Sequence, residues 1–166
     1  EAGEAAKLMN WAAIAPGMTV ADIGAGEGYY TVRLADRVGA KGRVLAQDIN
    51  RGALDRLGER ISRERLDNVA IKEGGIDDPR LPANSFDRIF MVHMYHEVTE
   101  PYAFIWRLRT ALKTGGQVIV VHCAGIVSIR NKVSVEVKRV NVGGTQNVIT
   151  ACEQSGTTRL VYVSSV

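Results

Sequence analysis

The sequence predicts a three-layer α/β fold, a doubly wound sheet of six parallel strands in the order 3-2-1-4-5-6. Three observations lead there. Short apolar runs rich in β-branched residues alternate with longer stretches of helical spacing. Glycine clusters end several of those runs, where a strand hands over to a helix or loop. No internal repeat or low-complexity linker interrupts the alternation, so one domain over residues 1–166 is expected. Strict alternation makes the strands parallel with helices on both faces, and right-handed crossovers leave the doubly wound order as the simplest.

The elements follow in order. A short N-terminal helix is expected over 4–15, with Met9 and Trp11 in the core. Val20-Ala21-Asp22-Ile23 is the first buried strand, ended by glycines. Residues 30–38 read as helix until Gly39-Ala40-Lys41-Gly42 breaks it. Residues 43–48 form the second strand, and 51–65 a helix with Leu54, Leu57 and Ile61 at spacings of three and four. Residues 69–72 are the third strand, closed by Gly74-Gly75. Pro79 and Pro82 force loop over 77–82. Residues 86–92 are the fourth strand. A helix over 100–112 opens on Pro101, where the missing N–H costs nothing. Gly115-Gly116 then turns the chain into a fifth strand over 117–122. A long helix is expected over 133–155, although Val133-Ser134-Val135-Glu136-Val137 alternates and leaves its start open between strand and helix. Gly156 ends it, and Leu160-Val161-Tyr162-Val163 is the sixth strand.

Composition narrows the function. With 46% hydrophobic and 23% charged residues in 166, the chain is globular rather than disordered. It has no apolar run of ~18 residues, so no membrane span is expected. The opening Glu1-Ala2-Gly3-Glu4 reads as neither signal peptide nor targeting leader. A net charge of +3, scattered along the chain, argues against a nucleic-acid partner. Cys123 and Cys152 make neither a disulfide framework nor a metal set, so a reducing, cytoplasmic setting is expected.

The most informative stretch is Asp22-Ile23-Gly24-Ala25-Gly26-Glu27-Gly28. Glycines after a first strand allow a tight turn and a close backbone approach by a ligand, and the next helix points its N–H groups there. A dinucleotide loop wants Gly-x-Gly-x-x-Gly, which needs glycine where Tyr29 stands. Twenty residues beyond Gly28, at the end of the second strand, Asp48 can accept both hydroxyls of a ribose. The plainer reading is a tight strand–helix turn, with Asp48 capping the helix that follows. His93, Tyr95, His96 and Glu97 cluster after the fourth strand, where open α/β sheets place ligands. A histidine there can serve as a general base. His96 and Glu97 read equally as packing the loop before Pro101, and a metal lacks a third ligand. No residue is assigned as catalytic.

From about residue 4 to 121 the chain resembles the class I S-adenosylmethionine-dependent methyltransferases. The resemblance rests on Val20-Ala21-Asp22-Ile23-Gly24-Ala25-Gly26-Glu27-Gly28, Asp48, Leu81-Pro82-Ala83-Asn84-Ser85-Phe86-Asp87, Met91-Val92-His93-Met94-Tyr95-His96-Glu97 and Ala111-Leu112-Lys113-Thr114-Gly115-Gly116. It implies a Rossmann-like fold and S-adenosylmethionine as cofactor. The cofactor-binding set it implies is Asp22, Gly24, Ala25, Gly26, Gly28, Tyr29, Asp48, Ile49, Gly75, Ile76, Asp77 and His93. The glycine loop would hold the methionine moiety, Asp48 the ribose, and Gly75-Ile76-Asp77 would lie against adenine. Relatives often carry an acid directly after the first Gly of that last turn, where this chain has Gly75. Adenine recognition then falls to backbone groups or Asp77.

Beyond the fifth strand the pattern changes. His122-Cys123-Ala124-Gly125, Val140-Asn141-Val142-Gly143-Gly144-Thr145-Gln146-Asn147-Val148-Ile149, Ala151-Cys152-Glu153-Gln154-Ser155-Gly156 and Arg159-Leu160-Val161-Tyr162-Val163-Ser164-Ser165 resemble extended short-chain dehydrogenases. That family needs its own glycine-rich first turn and a Tyr-x-x-x-Lys pair, which this chain lacks, so hydride transfer is not expected. The resemblance implies a chimera joined within Val118-Ile119-Val120-Val121, engineered or recombined, with 1–121 methyltransferase-like and 122–166 supplying a helix and an edge strand. The function expected is S-adenosylmethionine and S-adenosylhomocysteine binding with weak or no catalysis. A competent small-molecule methyltransferase and a scaffold that binds nothing stay open as alternatives. The N-terminal helix would roof the site, and the uncovered sixth strand leaves a homodimer open. Cutting the chain after Gly125 is expected to unfold it.

Overall fold

Five strands, of which the central Thr19–Ile23 and Phe86–Val92 are buried over most of their length, build the sheet that a computed structural model shows for this chain. The structure describes residues 2–94, 98–121, 135 and 139–154. Contacts divide the chain into two units, Glu1–His122 and Cys123–Val166.

The first unit runs α1 (Ala2–Trp11), β1 (Thr19–Ile23), α2 (Tyr29–Val38), β2 (Arg43–Asp48), α3 (Arg51–Glu64), β3 (Val69–Glu73), β4 (Phe86–Val92), α4 (Pro101–Ala111) and β5 (Leu112–Val121). All pairings are parallel and the order is β3-β2-β1-β4-β5, as expected for the first five strands. The expected sixth strand, 160–163, lies outside the described residues.

Period-two alternation decides which helix covers which face. Val20 packs with Leu8 and Met9 of α1 and Leu34 and Val38 of α2. Its neighbours Ala21 and Ile23 point the other way, toward Phe104 and Leu108 of α4. Leu54 and Leu57 of α3 close over Ala46, on the same side as Val44. Three layers result. Leu34, Leu57 and Leu108 are fully buried, each worth ~1.5–3 kcal/mol, whereas an exposed ion pair such as Arg56–Glu27 returns at most ~1 kcal/mol.

Two expectations need correction. The first helix stops at Trp11, short of residue 15, because the chain turns back there: Ala13 takes φ 50° and the Ile14 N–H donates to Met9 O at 3.0 Å. Its buried stripe is Ala5, Leu8, Met9 and Ala12, which leaves Trp11 on the opposite side and 53% exposed. Met9 is core and Trp11 is not. The fifth strand begins at Leu112, ahead of the glycine pair rather than after it. Between Phe86↔Leu112 and Arg88↔Gln117 the register slips, and Gly115, at φ 77°, stands in the resulting bulge. The bulge sits where Lys113 Nζ reaches Asp87 Oδ2 at 2.9 Å. Partial burial works against the Asp87 charge, but Lys113 and the Thr19 N–H together hold its carboxyl below the usual range.

In the second unit, a five-residue π-helical turn (Arg139–Gly143) leads into α5 (Gly144–Gln154). Of the long helix expected over 133–155, the described stretch 139–154 is thus π-helical up to Gly143 and α-helical from Gly144. Gly143 and Gly144 stand where the wide turn gives way to the α-helix.

Candidate functional site

β1 has β2 on one side and β4 on the other, so the strand order reverses beside it and opens a crevice at the carboxyl ends. The candidate cofactor-binding residues read from the sequence, Asp22 to His93, stand along that edge of the first unit.

The glycine loop leaves β1 with Gly24, Gly26 and Gly28 at φ 70°, 54° and 84°, a region that side chains enter only under strain. The Gly24 and Ala25 N–H groups donate to Gln47 O at 2.9 and 3.0 Å, and the Gly28 N–H donates to Ala25 O at 2.9 Å. The three glycines have different neighbours. A side chain at Gly24 would meet Met94 Cγ at 2.9 Å, and one at Gly28 would run into Leu57 Cδ1. At Gly26 nothing lies within 4 Å. Loop backbone there borders open space.

Asp48 ends β2 beside this loop. Its Oδ2 accepts the Gly26 N–H and its Oδ1 the Asn50 N–H, both at 2.8 Å. The cap of α3 is Asn50, whose side chain accepts from Ala53 N at 3.1 Å, so Asp48 is not the helix cap of the plainer reading. Each carboxylate oxygen has a second lone pair free for a ligand hydroxyl. Under the loop, Asp22 is buried, and Thr31 Oγ1 donates to its Oδ2 at 2.6 Å. Burial pushes the Asp22 carboxyl up from 3.8 to about 6, with the Asp48 charge adding to the rise and the Thr31 bond opposing it.

The third strand end is bound to the second: the Gly74 N–H donates to Asp48 O at 3.0 Å, and the buried Gln47 amide fills the space a side chain at Gly74 would need. Ile49 and Ile76, just past β2 and β3, are 52% and 59% exposed. Asp77 is turned to other work, its Oδ1 accepting the Thr99 hydroxyl at 2.6 Å and its carbonyl accepting from Arg107.

Beyond β4, His93 sits at φ 60° with its N–H donating to Val121 O at 3.1 Å. Its Nε2 lies 3.5 Å from Glu4 Oε1, which also accepts the Tyr30 hydroxyl at 3.0 Å. The first helix thus brings Glu4 to the site. Tyr29 lies under the Arg33 guanidinium, 3.9 Å from the ring centroid, and meets Tyr30 edge-on at 5.1 Å. Tyr95, His96 and Glu97 lie outside the described residues. Among the described residues, no three His, Cys, Asp or Glu side chains stand where a metal ion could be held.

A family model described as "Methyltransferase domain" matches residues 14–159. The chain belongs to the methyltransferase-domain family. A SAM-dependent methyltransferase from Aquifex aeolicus superposes on this methyltransferase domain with TM-score 0.77 at 26% identity, over 98% of this chain and 84% of that one. Among curated relatives, the ubiquinone/menaquinone biosynthesis C-methyltransferase UbiE of Shewanella sp. (strain ANA-3) is 33% identical over 107 residues, 63% of this chain and 42% of the relative. The 3 beta-hydroxysteroid dehydrogenase type 7 of Rattus norvegicus is 51% identical over 57 residues, 34% of this chain and 17% of the relative. The domain thus spans less than half the length of either. The cofactor of the methyltransferase domain is S-adenosylmethionine, and the residues present fit it: open loop backbone at Gly26, an oriented carboxylate at Asp48 and two exposed isoleucines.

Sequence reasoning missed Gln47, Thr31 and Met94. Gln47 and Thr31 had a faint signal, being polar within apolar stretches of predicted buried elements. Met94 had none, since an apolar residue after a strand is ordinary.

Proposed function

We propose that this methyltransferase domain binds S-adenosylmethionine and S-adenosylhomocysteine along the carboxyl edge of β1, β2 and β3. Asp22, Gly24, Ala25, Gly26, Gly28, Tyr29 and His93 would surround the methionine moiety. Asp48 would accept the ribose hydroxyls, and Ile49, Gly75, Ile76 and Asp77 would line the base. The observation that carries this reading is the Asp48 carboxylate, already oriented by Gly26 and flanked by exposed Ile49. When bound, the cofactor supplies a methyl group on a sulfonium. The chain's own part is to orient it and hold an acceptor in line, which can require no acid–base residue at all.

The proposal includes a chimera, with residues 122–166 drawn from a dehydrogenase-like sequence and methyl transfer weak or absent. The 51% identity to a dehydrogenase over 57 residues supports it, as does the division of contacts at His122 and Cys123. A second reading, a competent small-molecule methyltransferase, draws on the UbiE relatives and on the Glu4–His93–Tyr30 cluster. A cytoplasmic setting and the absence of nucleic-acid or membrane partners belong to the same proposal. Among the described residues no helix is long and apolar enough to cross a membrane. A homodimer through the sixth strand rests on residues outside those described.

Calorimetry separates these readings. S-adenosylmethionine and S-adenosylhomocysteine are expected to bind saturably, and NADPH not at all, because Asp48 repels a 2′-phosphate. Saturable NADPH binding with no response to S-adenosylmethionine would overturn the proposal. Transfer of a labelled methyl group to a quinol-type aromatic acceptor would favour the second reading over weak or absent catalysis.

A further inference from the structure

The segment Gly74-Gly75-Ile76-Asp77-Asp78-Pro79-Arg80 folds back on itself after β3. The Gly75 N–H donates to Asp78 O at 2.7 Å, the Asp78 N–H returns to Gly75 O at 3.3 Å, and Asp78 Oδ1 accepts the Arg80 N–H at 2.8 Å. Arg80 itself takes φ 53°. This closure carries its side chain back over the turn: a Cβ on Gly75 would lie 3.8 Å from Arg80 Nη2 and 4.0 Å from Nε. A guanidinium therefore stands beside the point from which a side chain at position 75 would project. Among the described residues it has no hydrogen-bond or ion-pair partner.

The acceptors nearby are partly committed. Asp77 Oδ1 holds the Thr99 hydroxyl, the Asp77 carbonyl holds Arg107, and Asp78 Oδ1 holds the Arg80 N–H. Beside the remaining carboxylate oxygens of Asp77 and Asp78, Arg80 adds a side chain whose donors are uncommitted among the described residues. A guanidinium has five N–H donors and no acceptor. It can pair with ring nitrogens or with an oxo group on a purine edge, as arginine does with the oxo and N7 of guanine. It offers nothing to a 6-amino group.

Resting on the reading that places the ribose at Asp48 and the base against Ile76, we propose that Arg80 sets base specificity, so that the site accepts a 6-oxopurine nucleoside as readily as an adenosine. The test uses the full chain and two defined probes, S-adenosylhomocysteine and S-inosylhomocysteine, titrated by calorimetry. The wild type is expected to bind both within roughly threefold, and Arg80→Gln and Arg80→Ala to shift the ratio toward the adenosyl probe by about tenfold. Arg80 is exposed, so melting temperatures should stay unchanged. A wild type preferring the adenosyl probe by more than about tenfold, or a ratio indifferent to Arg80, overturns the inference while leaving cofactor binding standing. Failure of both probes to bind overturns the underlying reading and this inference with it.

Discussion

Gly24, Gly26 and Gly28 share a left-handed backbone, yet substitution should read differently at each. Alanine at any of them takes on ~1–2 kcal/mol of backbone strain. At Gly28 it also meets Leu57 Cδ1, a core methyl, adding ~1–3 kcal/mol of overpacking. At Gly26 it meets nothing within 4 Å, so the new methyl occupies the ligand's space. Gly26→Ala should therefore melt near the wild type but lose at least about tenfold in S-adenosylmethionine affinity. Gly28→Ala should lose stability first. Thermal melts beside titrations check the pair, and equal melting losses would place the loop elsewhere. Asp22 yields a pH prediction. Its carboxyl is raised from 3.8 to about 6, so between those values the folded state binds more protons than the unfolded one. Stability then falls as pH rises through that window, by up to about 3 kcal/mol once the buried group is fully ionised. Asp22→Asn keeps an acceptor for Thr31 and removes the charge. It should raise the melting temperature at pH 7 and flatten stability between pH 4 and 6. An unchanged pH profile would show that Asp22 is not the titrating group.

Elements meet at this site through a few polar ties that cross long sequence separations. Asp48 at the end of β2 holds the Gly26 N–H of the loop after β1, and Gln47 O holds Gly24 and Ala25. Asp48 thus helps to order the loop and would present the ribose acceptor. Asp48→Ala removes both functions, so cofactor affinity should fall by ~1.5–3 kcal/mol, with a smaller stability loss because the side chain lies at a strand end. Asp48→Asn keeps one carbonyl acceptor and should fall in between. Titration calorimetry with circular dichroism melts measures both effects, and an intact fold with unchanged affinity would move the ribose off β2. The bulge in β5 also belongs to this scale. A glycine pair usually signals a turn before a strand, yet here it lies inside one because Phe86↔Leu112 pairing starts ahead of it.

For the whole molecule, the three hydrophobic clusters of described residues and all five strands lie within Glu1–His122. The side chains of β5 are half-buried or exposed. Cutting the chain after Gly125 keeps all of these residues, so a circular dichroism melt of that fragment tests the expectation that it unfolds: a fragment that melts cooperatively and binds S-adenosylmethionine within roughly threefold of the full chain overturns it. A non-cooperative or aggregated fragment would show that residues beyond Gly125 complete the core. The parallel order, the glycine loop and the position of Asp48 were legible in the sequence. Strand alternation, helix spacing and glycine placement are local signals, expressed by the backbone over a few residues wherever they occur. The roles of those residues were not. Asp48 as a tie to Gly26, Met94 against Gly24, Glu4 beside His93, Asp22 held at a raised pKa and Arg80 returned over Gly75 depend on which groups face one another, mostly across long sequence separations. Those neighbours, and the burial that sets the Asp22 charge, are decided by packing the sheet against its helices. Only the tertiary structure contains that information.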